Sequence, residues 1–289
     1  MSSATDRPRR AAFIERHGLW SDEQRDAASR LAEEVRTGDL RQIRVSWGDQ
    51  HGILRGKTLT TAEFLGALEH GKDFQFVTSI FDTTNHPIAP PFGAGNFRGV
   101  PELTGLPDGI LVPDPLTFHT LPWVEHTGWV LCDAYFQSGR QHPFSTRGVL
   151  RRQLDDLGSL GYSLTTGLEI EFYVFRLVDP MLSPEHCGYP PEPPAVTGLS
   201  HGFQYLTENR NDEIHELLRV LQEHTEALGL PLQTIEDEWG PGQIEFTFAP
   251  EDALAAADHA LLFRSMVKQV CRRLGYHATF MARPAFPDF

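Results

Sequence analysis

The segment from Leu168 to Phe172 alternates between apolar and acidic side chains, and such alternation is typical of a β-strand, which we predict to continue through Phe175. One face of the predicted strand carries Leu168, Ile170, Phe172 and Val174, and the other carries Glu169, Glu171, Tyr173 and Phe175. Residues two apart on a strand lie roughly 6.6 Å apart on the same side. Two carboxylates placed there repel each other unless a cation or a base lies between them. The pattern therefore predicts a strand with one acidic face that forms part of a divalent-metal site.

A second acidic segment, residues 236–248, predicts a similar strand after a Gly-Pro-Gly turn. Gln243, Glu245 and Thr247 share one face, and Glu238 reaches the site from the turn before the strand. Hard oxygen ligands of this kind suit magnesium or manganese. Two such ions roughly 3.5–4 Å apart can hold a transferring phosphoryl group. An exposed, solvated strand face is the alternative interpretation, and periodicity alone does not decide between the two.

Charge and cysteine content exclude several classes of partner. The formal net charge of −14 repels nucleic acid and anionic membrane surfaces, so we expect neither as a partner. The three cysteines include no Cys-x-x-Cys pair, which argues against a disulfide framework or a thiolate zinc site. The sequence has no signal peptide and no run of roughly 20 apolar residues, so we predict a cytoplasmic protein.

Local signals predict a mixture of helices and strands after a polar lead-in at residues 1–20. Capping boxes at residues 21–24 and 60–63 predict helices that run to about Thr37 and to Gly71. Further helices are predicted after Ser145, at residues 214–229 and at residues 254–275. Strands are predicted at residues 43–47, 53–59, 110–112, 128–132, 162–175, 243–248 and 277–282. Long loops are predicted at residues 72–109 and 179–203, which are rich in proline and glycine.

The order of the motifs resembles that of the glutamine synthetase family. Gly-x-Glu-x-Glu-Phe at residues 167–172 is followed by Glu-x-Gly-Pro-Gly-Gln-x-Glu at 238–245 and Ala-Thr-Phe-Met-Ala-Arg-Pro at 278–284. Residues 49–57 resemble the family's small domain, and residues 112–115, 132–133 and 143–147 resemble the junction into its catalytic domain. The resemblance covers roughly residues 40–289, and six motifs in order make it specific.

This resemblance implies an α+β fold with three regions. An N-terminal extension and helix would occupy residues 1–38, and a small β-grasp-like domain residues 39–140. The front part of a glutamine-synthetase-type catalytic domain, a curved antiparallel sheet with helices, would occupy residues 141–289. The family's catalytic domain continues well past the Thr-Phe-Met segment, so we expect the chain to be C-terminally truncated and that domain to be incomplete.

The resemblance also implies a two-step ligase. ATP, the co-substrate, phosphorylates the γ-carboxylate of glutamate, and ammonia or a primary amine then displaces phosphate, with Mg²⁺ or Mn²⁺ as cofactor. By motif position, Glu171, Glu238 and Glu245 would hold one ion beside glutamate, and Glu169 would help hold a second beside the ATP phosphates. Glu171, Glu238 and Gln243 would contact substrate, while no catalytic residue is assigned. Family members typically form double-ring homo-oligomers.

One departure from the family pattern leaves alternatives open. Residues 74–79, Phe-Gln-Phe-Val-Thr-Ser, stand where the family has Phe-Asp-Gly-Ser-Ser, and they lack the aspartate that serves the ammonium site. This favours a larger acceptor, as in γ-glutamyl-polyamine or alkylamine ligases. A non-catalytic family member with a structural or regulatory role is a second alternative. A third is a serine hydrolase using Ser200 in a Gly-x-Ser-x-Gly motif, which requires a strand before the serine and a helix after it.

Overall fold

Two β-sheets with their helices organise residues 11–90 and 99–284, the residues that the computed structural model describes. The chain divides into two units, of which unit 1 comprises Met1–Thr120 and His126–Val149. Unit 2 comprises Leu121–Glu125 and Leu150–Phe289. The predicted α+β class is confirmed, because each unit combines a sheet with helices. The three domain ranges proposed from the sequence stay predictions.

Unit 1 is built on a six-stranded mixed sheet. Its elements are α1 (Phe13–His17), α2 (Asp22–Thr37), β1 (Gln42–Gly48), β2 (Leu54–Thr60), α3 (Thr61–His70), β3 (Lys72–Gln75), β4 (Asp108–Pro113), β5 (His119–Thr120) and β6 (Thr127–Tyr135). The strands follow the order β2-β1-β6-β4-β3, with β5 paired to β6. The β1–β6 pair is parallel and the other pairs are antiparallel.

Both capping signals in unit 1 mark the start of a helix, as predicted. The Ser21 hydroxyl accepts the Gln24 N–H at 3.2 Å, and the Gln24 side chain accepts the Ser21 N–H at 3.0 Å, so α2 begins in a complete capping box. The Thr60 hydroxyl accepts the Glu63 N–H at 3.3 Å at the start of α3. These bonds satisfy N–H groups that a helix N-terminus leaves without intrahelical partners.

Two predicted irregular segments of unit 1 contain regular structure. The polar lead-in carries α1 at residues 13–17, although its first ten residues lie outside the described part of the chain. The loop predicted at 72–109 begins with β3, whose polar sequence gave no strand signal, and residues 91–98 of that loop are likewise not described. Pairing with β4 holds β3 in place, so tertiary context overrides its low local propensity.

Unit 2 contains the strands on which the acidic motifs lie. Helix α4 (Thr146–Ser159) leads into it from unit 1, and the elements that follow are β7 (Thr165–Asp179), β8 (Ala195–Gly198), α5 (Glu208–Glu213), α6 (His215–Ala227), β9 (Leu232–Asp237), β10 (Gln243–Asp252), α7 (Ala253–Arg273) and β11 (Tyr276–Thr279). The sheet order is β11-β7-β10-β9, with β8 paired to β7, and these pairs are antiparallel. No helix among the described residues is both long and apolar enough to cross a membrane.

Several boundaries in unit 2 differ from those predicted. Strand β7 begins three residues later than expected and runs on to Asp179, because β8 and β11 pair with its second half. Strand β8 lies inside the predicted loop at 179–203, and β11 ends at Thr279 instead of residue 282. Strand β9 was not predicted, and it forms the edge of the sheet beside β10.

Three aromatic rings fix the apolar face of the second sheet. Phe172 on β7 and Phe246 on β10 have ring centroids 5.8 Å apart, and each packs against Phe263 on α7 at 6.0 and 5.1 Å. All three side chains are at most 1% exposed. Burying such a side chain contributes roughly 1.5–3 kcal/mol. Because successive residues of a strand face opposite ways, this packing directs the glutamates of β7 and β10 away from α7.

A buried ion network joins the junction motifs of the sequence within unit 1. Arg147 donates to Asp114 at 2.6 Å and to Asp133 at 3.1 Å, and all three side chains are at most 9% exposed. Gln24 of α2 donates to the other oxygen of Asp114 at 2.9 Å. The arginine therefore compensates two buried carboxylates, one of which also anchors α2.

Replacement of Arg147 by methionine should lower the free energy of unfolding by about 3–5 kcal/mol, because two buried carboxylates lose their cation. Chemical denaturation followed by circular dichroism measures the change. The matched control is Arg219→Met, since Arg219 pairs with Glu216 and Glu223 on the surface of α6, where loss of an exposed pair costs about 0–1 kcal/mol. Equal losses in the two variants would contradict the assignment.

His142 lies in an aromatic environment in unit 1. Its ring stacks on Phe76 at 4.4 Å and contacts Phe136 and Phe144, each at 5.5 Å. The side chain is 5% exposed, and its Nε2 has no hydrogen-bond partner among the described residues. Burial, and secondarily the charge of Arg140, lower the His142 pKa from 6.5 to about 4. The folded protein therefore holds this imidazole neutral.

The depressed pKa of His142 predicts a loss of stability in acid. The unfolded chain binds a proton near pH 6.5 and the folded chain only near pH 4, so stability should fall as the pH drops through that window. His142→Phe keeps the stacking and removes the proton site. Denaturation midpoints at pH 7.5 and pH 5 should therefore differ less in the variant than in the wild type, and an unchanged pH dependence would refute the prediction.

Candidate functional site

The acidic face of the second sheet places three carboxylates in one row across three strands. Glu245 on β10 lies directly opposite Glu171 on β7 and Glu236 on β9. Glu238, the first residue after β9, joins them, and Glu236, Glu238 and Glu245 each offer a carboxylate oxygen within 4.8 Å of the others. Glu169 stands one row further along β7, opposite Thr247. We call these five glutamates the carboxylate cluster.

Gln243 fixes one end of the cluster through a buried hydrogen-bond chain. Its Oε1 accepts the Tyr173 hydroxyl at 3.1 Å and the Gly240 N–H at 2.8 Å. Its Nε2 donates to Glu171 at 2.5 Å. Both partners of the oxygen are donors and the partner of the nitrogen is an acceptor, so only one amide orientation satisfies all three bonds. Glu171, which is itself exposed, is therefore held in a defined position by buried neighbours on the same face of the sheet.

The turn at residues 240–242, predicted from its Gly-Pro-Gly sequence, requires both glycines. A Cβ on Gly240 would lie 2.6 Å from the Tyr173 hydroxyl. Gly242 has φ +74°, a conformation that L side chains rarely adopt, and a Cβ there would lie 2.6 Å from the Val174 carbonyl oxygen. These close approaches bring Glu238 and Gln243 to the same edge of the sheet.

The electrostatics of the cluster disfavour a further negative charge. Burial, a hydrogen bond with Glu238 and the charges of Glu238, Glu171 and Glu169 raise the pKa of Glu245 to about 7. Burial, with the charges of Glu171 and Glu238, raises the pKa of Tyr173 to about 12, so its hydroxyl keeps the proton that it donates to Gln243. Like charges are thus held together by the fold.

Among the described residues, no lysine, arginine or histidine forms an ion pair with a glutamate of the carboxylate cluster. Carboxylate oxygens are the donors that Mg²⁺ and Mn²⁺ prefer. The donor set therefore fits a divalent ion, which would offset the repulsion among the carboxylates.

The structure brings most of the site residues predicted from the sequence together. Glu171, Glu238, Glu245 and Gln243 meet around one edge, and Glu169 lies in the adjacent row. Their roles as ligands stay predictions. Glu236 was absent from the predicted ligand set because β9 was not predicted. The sequence did offer a signal for Glu236, because it stands two residues before Glu238 with Asp237 between them, and residues two apart on a strand share a face.

Ser200 does not lie in the strand-turn-helix arrangement of a nucleophile elbow. It follows β8, but the next helix, α5, begins only at Glu208. The Ser200 hydroxyl accepts the Gly242 N–H at 2.8 Å. This serine therefore supports the turn beside the cluster, and the geometry gives no support to the serine hydrolase alternative.

Comparison with known proteins decides the family. The sequence model described as glutamine synthetase, catalytic domain, matches residues 143–288. The chain belongs to the glutamine synthetase family. Gamma-glutamylanilide synthase of Acinetobacter sp is 40% identical over 283 residues, which cover 96% of this chain and 57% of that relative. Glutamate–isopropylamine ligase of Pseudomonas sp is 28% identical over 278 residues, covering 92% and 55%.

Glutamine synthetases and solved structures are also similar to the chain. Glutamine synthetase of Mycobacterium tuberculosis (strain ATCC 25618 / H37Rv) is 30% identical over 268 residues, which cover 91% of this chain and 52% of that relative. The structure titled "Apo GmaS without ligand" has a TM-score of 0.68 at 23% identity and covers 88% of this chain and 53% of its own. This likeness confirms the fold. The chain spans about half the length of the curated relatives it matches.

Removal of one charge from the carboxylate cluster should stabilise the metal-free protein. We expect Glu245→Gln to raise the Tm in EDTA, because the variant no longer buries a carboxylate among like charges. The same variant should show a smaller rise in Tm than the wild type when Mn²⁺ is added, because a ligand has been lost. Glu216→Gln, on the surface of α6, is the matched control and should leave the Mn²⁺ response unchanged. An undiminished response in Glu245→Gln would exclude this residue as a ligand.

Proposed function

We propose that the protein is an ATP-dependent glutamate–amine ligase that forms a γ-glutamyl amide through γ-glutamyl phosphate. The observation that carries this proposal is the carboxylate cluster, which strand register holds together and whose glutamates form no ion pair with a basic side chain among the described residues. Such a cluster suits a reaction in which divalent ions accompany a phosphoryl group. Membership of the glutamine synthetase family supports the same reaction class.

Each site residue has a role in this proposal. Glu171, Glu238 and Glu245 would hold one ion beside glutamate, and Glu169 would help to hold a second near the phosphates of ATP. When bound, Mg²⁺ or Mn²⁺ would neutralise charge on the transferring phosphoryl oxygens. Gln243 positions Glu171 and contacts glutamate. A fixed first layer of groups reduces the reorganisation needed during reaction.

The proposed reaction has two steps, phosphoryl transfer and amide formation. A γ-carboxylate oxygen of glutamate attacks the terminal phosphorus of ATP, and ADP leaves. The amine nitrogen then attacks the acyl carbon, so that a C–N bond forms and the C–O bond to phosphate breaks. Phosphate departs with the electron pair, and the nitrogen loses a proton to a carboxylate. Glu238 is the group that we assign to receive it, because its half-buried carboxylate lies on the loop that follows β9.

The proposed acceptor is a primary amine larger than ammonia. Residues 74–79 lack the aspartate of the family's ammonium-site motif. The names of similar relatives include an anilide synthase, an isopropylamine ligase and an ethanolamide synthetase. The proposal further includes a double-ring homo-oligomer, a cytoplasmic location and a catalytic domain that begins at residue 141.

The full-length gene product that contains these 289 residues should release ADP only when glutamate, an amine and Mg²⁺ or Mn²⁺ are all present. Mass spectrometry should detect the γ-glutamyl amide. Glu238→Gln should lower kcat by a factor of about 10² or more, because the variant loses both a ligand and a proton acceptor.

Glu216→Gln serves as the control for charge removal, since Glu216 lies on the exposed face of α6 and pairs with Arg219. Absence of glutamate-dependent ATP turnover with every amine would overturn the proposed function. Full activity in Glu238→Gln would leave the ligase standing and remove Glu238 from its machinery.

A further inference from the structure

Two exposed aromatic side chains lie immediately beside the carboxylate cluster. Trp239 directly follows Glu238 and is 58% exposed, and Phe203 is 42% exposed. Their ring centroids lie 6.2 Å apart with the planes inclined at 47°. Both rings are thus exposed on the described part of the chain next to a charged residue, and such a combination is typical of ligand surfaces. We call these two rings the aromatic pair.

Backbone hydrogen bonds hold the two loops that carry the aromatic pair. The Gln204 N–H donates to the Trp239 carbonyl at 3.2 Å, and the Leu206 N–H donates to the Asp237 carbonyl at 3.1 Å. The Gln204 side chain donates to the Glu238 carbonyl at 3.2 Å and also to the Asp237 carboxylate. The loops that carry the rings are therefore held by the fold before any ligand binds, which lowers the entropic cost of ordering them on binding.

The Glu238 carboxylate is tied to the same loop. It accepts the N–H of Trp239 at 3.0 Å, so the charged group and the indole extend from adjacent positions of one short segment. A ligand with an apolar, planar part and an amino nitrogen within a few bonds of it would meet both groups. Aromatic faces favour offset or edge-to-face contact with another ring.

We propose that the aromatic pair is the acceptor subsite and that it selects an aromatic primary amine, with the ring against Trp239 and Phe203 and the amino group toward Glu238. This inference rests on the proposed ligase function and specifies its second substrate. An arylamine is neutral near pH 7, so its nitrogen can attack the acyl carbon without prior loss of a proton. The C–N bond forms, the C–O bond to phosphate breaks, and the departing proton passes to Glu238.

A panel of three acceptors tests the inference in the full-length gene product: aniline, cyclohexylamine and ammonium. Aniline and cyclohexylamine have similar size, and only aniline offers an aromatic ring for stacking. The wild type should have the highest kcat/KM for aniline. Trp239→Leu should raise the KM for aniline about three- to tenfold, with smaller changes for cyclohexylamine and ammonium. The KM values for glutamate and ATP should stay within twofold of the wild type.

A conservative variant and a distant control separate selectivity from folding. Trp239→Phe retains a ring and should restore most of the aniline affinity. Tyr162→Leu removes another exposed aromatic ring of unit 2, in the turn before β7, and should change no KM. Phe203→Leu should reproduce the effect of Trp239→Leu for aniline.

The outcomes distinguish this inference from the proposed function. Equal losses for all three acceptors in Trp239→Leu would assign the tryptophan a structural role and overturn the inference. Glutamine or alkylamide formation without a preference for aniline would overturn the inference and leave the ligase intact. No product with any amine would overturn both.

Discussion

The site depends on one constraint, the repulsion among carboxylates that the strand register holds side by side. Phe172, Phe246 and Phe263 anchor the opposite face of the sheet, and a slip of one residue would bring glutamates into that core. The strand register therefore places Glu171 and Glu245 opposite each other. The free energy gained by the apolar packing offsets the repulsion between the two carboxylates. The sheet holds the charges in place until a cation or a proton compensates them.

The alternating segments were the part of the structure that the sequence predicted best. The acidic and apolar faces of β7 and β10 were assigned correctly, because both strands have an aromatic-rich buried face and a polar opposite face. Strand β9 escaped prediction because it lies at the sheet edge and has few buried side chains, which leaves little hydrophobic periodicity. Glu236, which depends on the β9–β10 register, was missed for the same reason.

Interactions between distant residues were beyond prediction from local pattern. The extension of β7 to Asp179 depends on β8, whose residues lie in a segment rich in proline and are all exposed. The series of hydrogen bonds from Tyr173 through Gln243 to Glu171 spans two strands and a turn, and its geometry exists only once the sheet has formed. The sequence placed Gln243 on the acidic face, but the orientation of its amide follows from three partners at once.

Strands and loops contribute separable properties to the site. The cluster glutamates other than Glu238 are set by strand register, so their positions tolerate little change. Trp239 and Phe203 lie on loops joined to each other by hydrogen bonds, and loop residues vary more freely than the strands that support them. Substitution in these loops can therefore alter the shape offered to an acceptor without disturbing the carboxylate row. Glu238 belongs to both groups, since its carboxylate joins the row while its backbone belongs to the loop. In the proposed reaction it would therefore couple acceptor binding to the phosphoryl site.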